Sequence, residues 1–167
     1  MSANIYELTQ KLMKEYRTND PYELADALGI TIKYKHFIKL KGMFKVIENV
    51  SFIWLNSALD EYTAIVVLMH EIGHHVLHRG LAVNSFQEFS LYDMTGKPEI
   101  EANNFAANIL VSDKDVVELA EQGYTSTQAA AALYIPHQLM LIKIEDMIDR
   151  GFALCLSEEI RADFLAY

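Results

Sequence analysis

The sequence predicts an α+β fold, a mostly helical single domain with a small three-stranded antiparallel sheet and a long helix carrying an HExxH motif. Three observations predict it. Apolar residues recur at helical spacing before residue 30 and after residue 60, the period changes to two over residues 30–57, and glycine, proline and capping residues fall between the periodic segments. With 167 residues, 51% hydrophobic and 22% charged, the chain has enough apolar surface for an ordinary core.

Ile5, Leu8, Leu12 and Met13 mark a first helix, and Asp20-Pro21 opens a second that runs through Leu24, Ala25 and Leu28 and stops at Gly29, so helices fill 1–29. Ile30, Ile32 and Tyr34 then alternate with Thr31, Lys33 and Lys35. Gly42 to Ile47 and Ser51 to Leu55 flank the turn residues Glu48-Asn49, which places the sheet at 30–57. Asp60 and Glu61 begin the HExxH helix, 60–79, regular as far as about Leu77 and closed by Arg79-Gly80. Residues 81–97 lack periodicity and predict a loop of functional length. Pro98 opens a helix over 98–111, with Ala102, Phe105, Ala106, Ile109 and Leu110 on one face. Ser112-Asp113 caps the next helix, which Gly123 breaks. Ser126 to Leu133, a turn at Ile135-Pro136 and His137 to Met147 outline a helix-turn-helix within a helical carboxy-terminal part, 113–167. No repeat or linker divides the chain, so one domain over 1–167 is expected.

The charge excludes some functions. Fourteen Lys and Arg against 23 Asp and Glu give −9, which disfavours direct nucleic-acid binding, since phosphates require a basic footprint. The excess is uneven: residues 1–60 carry eight basic and seven acidic residues, and residues 61–167 carry six and sixteen, or +1 and −10. Cys155 is the only cysteine and has no histidine near it in sequence, so it reads as a small buried hydrophobe rather than an activated thiol. The amino end lacks the apolar core of a signal peptide, and no apolar run reaches the ~18 residues of a membrane helix. A cytoplasmic protein with no membrane span is expected.

The chemistry is carried by His70-Glu71-Ile72-Gly73-His74. Residues four apart on a helix stand on one face a turn apart, so the two imidazoles can meet one cation, with Glu71 beside them. Two neutral nitrogens and one further ligand leave zinc an open position, and a nearby glutamate can serve as general base. Gly73 in mid-helix costs about 1 kcal/mol against alanine, which a close backbone approach at the metal would justify. The third ligand is not His78, because eight helical residues separate His70 from His78 by ~12 Å. It is not a metzincin histidine either, because Leu77 and Gly80 stand where that class needs glycine and histidine. His36, His75 and His137 read as structural or surface residues. A carboxylate from the 98–111 helix remains, and periodicity does not choose between Glu99, which also suits the helix dipole, and Glu101.

The string from His70 to His78, followed by Glu101-Ala102-Asn103-Asn104-Phe105-Ala106, resembles the ImmA/IrrE family of zinc metallopeptidases, as do Asp20 to Ile30 and Ile53-Trp54-Leu55-Asn56. The resemblance covers most of the chain. It implies a gluzincin-like fold, Zn2+ as cofactor, His70, His74 and Glu101 as metal ligands and Glu71 as catalytic base. One departure is Ser112, where the family often has a proline to end the second motif helix. The resemblance also implies a protein substrate in the cytosol, a DNA-binding helix-turn-helix repressor of a phage, mobile element or stress regulon, cut or inactivated to derepress genes.

Two other readings use the same residues. A non-catalytic metal-binding module could regulate a repressor by binding it, although such a module would often lose Glu71. A non-haem iron oxygenase shares two histidines and a carboxylate, but the adjacent glutamate favours hydrolysis. Ser51 to Asn56, the strand before the active helix, is a candidate for binding substrate by strand addition. Lys33, Lys35, Lys39, Lys41 and Lys45 read as a solvated face that resists aggregation. The helix-turn-helix outline has only Lys143 as a positive charge between Thr125 and Asp149, which suits helical packing rather than DNA contact.

Overall fold

A computed structural model describes residues 2–82 and 96–154. Cys155 and most of the expected 81–97 loop lie outside the described residues. The elements are α1 (Ser2–Tyr16), α2 (Pro21–Ala27), β1 (Ile30–Lys35), β2 (Gly42–Ile47), β3 (Val50–Asn56), α3 (Glu61–Ala82), α4 (Lys97–Leu110), α5 (Asp113–Glu121), α6 (Ser126–Ala132) and α7 (His137–Asp149).

Local chemistry accounts for the boundaries. Asp20 caps α2 by accepting from the amides of Tyr22 and Glu23, and Pro21 sits at the first turn where its missing N–H costs nothing. Asp60 caps α3 in the same way through Thr63. Thr125 and Gln128 form a capping box on α6. Regular α3 geometry is interrupted at His78, with φ −131° and ψ 19°, close to the end expected near Leu77.

The sheet corrects one expectation. Its order is β1-β3-β2, with β2 antiparallel to β3 but β1 parallel to it, so the sheet is mixed. Ile30 pairs with Ser51 and Lys35 with Asn56, while Ile47 faces Val50 across the tight turn. Period-two alternation reports which residues face one side and is blind to strand direction. Asn56 fixes the β1–β2 connection: its side-chain amide donates to the carbonyls of Phe37 and Leu40, both at 2.8 Å, and its oxygen accepts from Ala58.

One face of the sheet packs on α3. Phe44, Ile53 and Leu55 are buried with Val66, Val67, Leu68, Met69 and Ile72 of α3 and with Phe105 and Ala106 of α4. Phe52 and Trp54 stack on each other on the other face of β3, so Trp54 packs at the sheet surface. A second apolar cluster, with Val111, Val116, Ala130, Met140 and Met147, joins α5, α6 and α7 and meets the first at Leu110 and Ile135. Lys143 does not reach outward from this helical part. It is buried on Asp113 at 2.6 Å, unavailable to a phosphate. No helix among the described residues is long and apolar enough to cross a membrane.

Candidate metal centre

The two glycines nearest the motif explain how the site is assembled. A Cβ on Gly73 would lie 3.2 Å from the Cα and carbonyl oxygen of Ala102 and from the Phe105 ring. Gly73 therefore lets α4 cross α3 closely, one turn from the first residues of α4. The close approach at this glycine is to the backbone of a neighbouring helix rather than at the metal, where the sequence placed it. A Cβ on Gly42 would come 2.5 Å from Val67 Cγ1 and 3.0 Å from Glu71 Oε1, so β2 can pass over Glu71 only with glycine there.

The crossing brings His70, His74 and Glu99 together, each buried. The two Nε2 atoms are 3.1 Å apart, and each is 3.2 Å from an oxygen of Glu99. Ligands at 2.0–2.1 Å from a tetrahedral ion are separated by ~3.3 Å, so the triangle has the dimensions of three corners of such a site. Among the described residues both Glu99 oxygens are buried without an aligned hydrogen bond although imidazole nitrogens lie beside them, and Glu71 Oε2 has no partner either. Buried carboxylate oxygens left this way cost on the order of 1–3 kcal/mol each, and a cation facing all of them removes the penalty. The donor set therefore fits a metal ion.

Glu101 is not in the triangle. It pairs with His78 at 2.9 Å and with Lys97 at 3.8 Å, and the position expected of it is taken by Glu99, two residues earlier. The resemblance implies Glu101 as the third ligand, whereas the structure sets Glu99 beside the two imidazoles. The signal that could have found Glu99 is Asn103, four residues on. The Asn103 Oδ1 lies 2.9 Å from His70 Nδ1, and an amide oxygen only accepts, so Nδ1 carries the proton and Nε2 presents its lone pair to the triangle. A glutamate and an asparagine one helical turn apart would thus supply one ligand and the orienting partner of another if a metal ion is held here.

Charges follow from this packing. Burial pushes Glu99 up, but the two imidazoles facing it outweigh burial and hold it at about 2. Glu71 goes the other way. Burial is the main cause, reinforced by the Glu99 charge and opposed by His70 and by the Phe44 backbone amide, and its pKa is pushed up to about 7. A cation beside it would draw that value down. Burial lowers His74, aided by His70 and His78 against the pull of Glu99; for His70, Glu99, Glu71 and Asn103 outweigh burial and raise it. His75 turns from the pair toward the sheet, where Nδ1 meets Ser51 Oγ at 3.0 Å and the ring packs edge-on to Phe44. His137 bonds Ser126 and His36 is exposed, so neither approaches the centre.

Asn103→Ala is expected to weaken metal binding about 10- to 100-fold with the helical signal unchanged. Asn103→Asp should restore the acceptor and much of the affinity. Competition against a chromogenic chelator measures both, and equal affinity in all three proteins would remove the orienting role.

A histidine pair one turn apart on a buried helix, closed by a glutamate from a second helix, is the gluzincin arrangement of a metallopeptidase. Residues 25–152 match the peptidase family described as the IrrE N-terminal-like domain. The chain is 31% identical over 135 residues to the "Uncharacterized immunity region protein 2" of Bacillus phage phi105, covering 80% of this chain and 85% of that one. It is 28% identical over 140 residues to the metallopeptidase ImmA of Bacillus subtilis (strain 168), covering 81% and 80%. The chain belongs to the ImmA/IrrE family of metallopeptidases.

Proposed function

We propose that this protein is a zinc endopeptidase that hydrolyses a peptide bond in a cytosolic regulatory protein, a helix-turn-helix repressor of a phage, mobile element or stress regulon. The observation that carries the proposal is the buried triangle of His70, His74 and Glu99 with the unpaired Glu71 oxygen beside it. His70, His74 and Glu99 would hold the ion, which supplies a Lewis acid able to bring the pKa of water near 7. Glu71 takes a proton from the attacking water and returns it to the leaving amine. Its position is set by the Phe44 amide and by Gly42, so the base is held by the sheet as well as by its own helix. Asn103 keeps His70 in the tautomer a ligand needs. The choice of a repressor is supported by the names of the phage immunity region protein and of ImmA.

Strand addition at Ser51 to Asn56 is overturned, because β3 is paired on both sides. In the present reading the substrate lies along β2, the edge strand whose residues Gly42 and Phe44 adjoin Glu71.

Zinc-loaded protein incubated with a candidate repressor is expected to cut it, and Glu71→Gln is expected to slow cutting by a factor of about 10²–10⁴ while retaining the metal. Undiminished cutting by the variant would remove Glu71 as base. Repressor binding with no cut in the wild type would replace the peptidase by a sequestering module.

A further inference from the structure

The connection between β1 and β2 carries a side chain that no role above uses. Ile38 is 95% exposed, against 67% for Tyr134, the next most exposed large hydrophobic residue among those described. One apolar side chain at a surface is ordinary, so exposure alone assigns nothing. Ile38 is set apart by how its backbone is held, by where it stands and by the charge around it.

The tip is clamped from the end of β3. Asn56 Nδ2 donates to the carbonyls of Phe37 and Leu40, one on each side of the tip, and the amides of Asn56 and Ser57 donate to the carbonyls of Lys41 and Lys35. The ordering entropy of this loop is therefore lost on folding, and little remains to be lost when a partner covers it. The clamped segment runs straight into Gly42, where a Cβ would lie 3.0 Å from Glu71 Oε1. Four residues span at most ~14 Å, so a protein held at Glu71 has surface within reach of Ile38. Lys35, Lys39 and Lys41 are exposed around the tip, and no acidic residue occurs between Asp26 and Glu48. Lysines alone would keep a strand edge soluble, and a bare isoleucine among them works against that purpose.

We infer that Ile38 is a docking anchor that enters an apolar, acid-rimmed pocket on a folded face of the protein substrate, with Lys35, Lys39 and Lys41 against the rim. The inference rests on the proposed repressor substrate for the identity of the partner, and on the loop alone for the chemistry of the contact. The lysines would be repelled by the DNA-contacting surface of a repressor, so the pocket lies on another of its faces. An anchor of this kind adds selectivity for one folded protein, which a strand edge that reads backbone lacks.

The test uses the full chain carrying Glu71→Gln, so that nothing is cut, and a full-length candidate repressor as probe, read by calorimetry. Adding Ile38→Ser is expected to weaken binding about ten- to a hundredfold, while Ile38→Leu keeps most of it. Lys39→Glu should weaken binding and flatten its dependence on salt. Both side chains are exposed, so the fold is preserved. With Glu71 intact, the loss in Ile38→Ser should show as a raised KM for the repressor rather than a lowered kcat. Equal binding by Ile38→Ser, or no binding of the repressor by the parent chain, would overturn the anchor. A concentration-dependent dimer that Ile38→Ser dissolves would identify a second copy of this chain as the occupant and would also overturn it. A repressor bound through Ile38 but never cut would keep the anchor and remove the peptidase, whereas cutting indifferent to Ile38 would do the reverse.

Discussion

Glu99→Gln is expected to lower zinc affinity by at least about a hundredfold, whereas Glu101→Gln is expected to change it by less than about tenfold. Glutamine keeps the shape of each side chain and removes the charge. At position 99 that charge faces two imidazole nitrogens at 3.2 Å, and its loss leaves a neutral carbonyl as a poor third ligand. At position 101 the partner is His78, and an amide oxygen can still accept from Nε2. Glu101 would then be a strut that ties α4 to the end of α3 without touching the ion. Glu101→Ala, which removes the acceptor, should weaken metal binding more than Glu101→Gln does. Chelator competition on the three variants reads these differences directly. Release of metal by Glu101→Gln together with retention by Glu99→Gln would reverse the assignment.

Arg150→Met is expected to destabilise the protein by about 3–5 kcal/mol, a drop in Tm on the order of 10 °C. Arg150 donates to both oxygens of Asp113 at 2.8 Å and to Asp146 at 2.8 Å, and lies 3.7 Å over the Tyr6 ring. Asp113 keeps a second partner in Lys143, but among the described residues Asp146 would be left as a buried carboxylate without a hydrogen bond. Arg150→Met/Asp146→Leu should therefore recover most of the loss, since the uncompensated charge is gone. Equal destabilisation of single and double variants would locate the effect in packing instead.

The same cluster sets an acid limit. Burial pushes Asp113 up, but hydrogen bonds from Arg150 and Lys143 outweigh it and hold the carboxyl at about 2. Its folded value lies below the unfolded one, so its contribution of about 2 kcal/mol is complete above roughly pH 4 and lost as pH falls through about 2. Denaturant titrations at stepped pH should show this loss in wild type and not in Asp113→Asn.

The α4 carboxylates mark where sequence reading stops. His70, Glu71 and His74 were legible because a local spacing on one helix places them together, and no other element is needed to decide it. The choice between Glu99 and Glu101 depends on how α4 is rotated against α3, which Gly73, Ala102 and Phe105 determine across the crossing. Helical periodicity left both glutamates at the margin of the apolar stripe, and the family motif pointed to Glu101, whereas the structure sets Glu99 beside the imidazoles. The sheet shows the same division. Residues 30–57 announced three strands through their alternation, but the placement of β1 depends on β3 being free on one side, a relation between distant residues.

That strand order also bears on how the chain assembles. Glu48 and Asn49, at φ 49° and 66°, form a two-residue turn of the handedness that suits a twisted hairpin, so β2 and β3 can pair as soon as both exist. β1 is made earlier yet has no partner until β3 has been synthesised beyond it, since it pairs with β3 alone. During synthesis it waits as an unpaired strand, and Lys33 and Lys35, both exposed, keep its polar positions charged meanwhile. Those lysines would guard a nascent chain through the interval before its sheet closes, and replacing both should show up as lost yield of folded protein before any change in the finished enzyme.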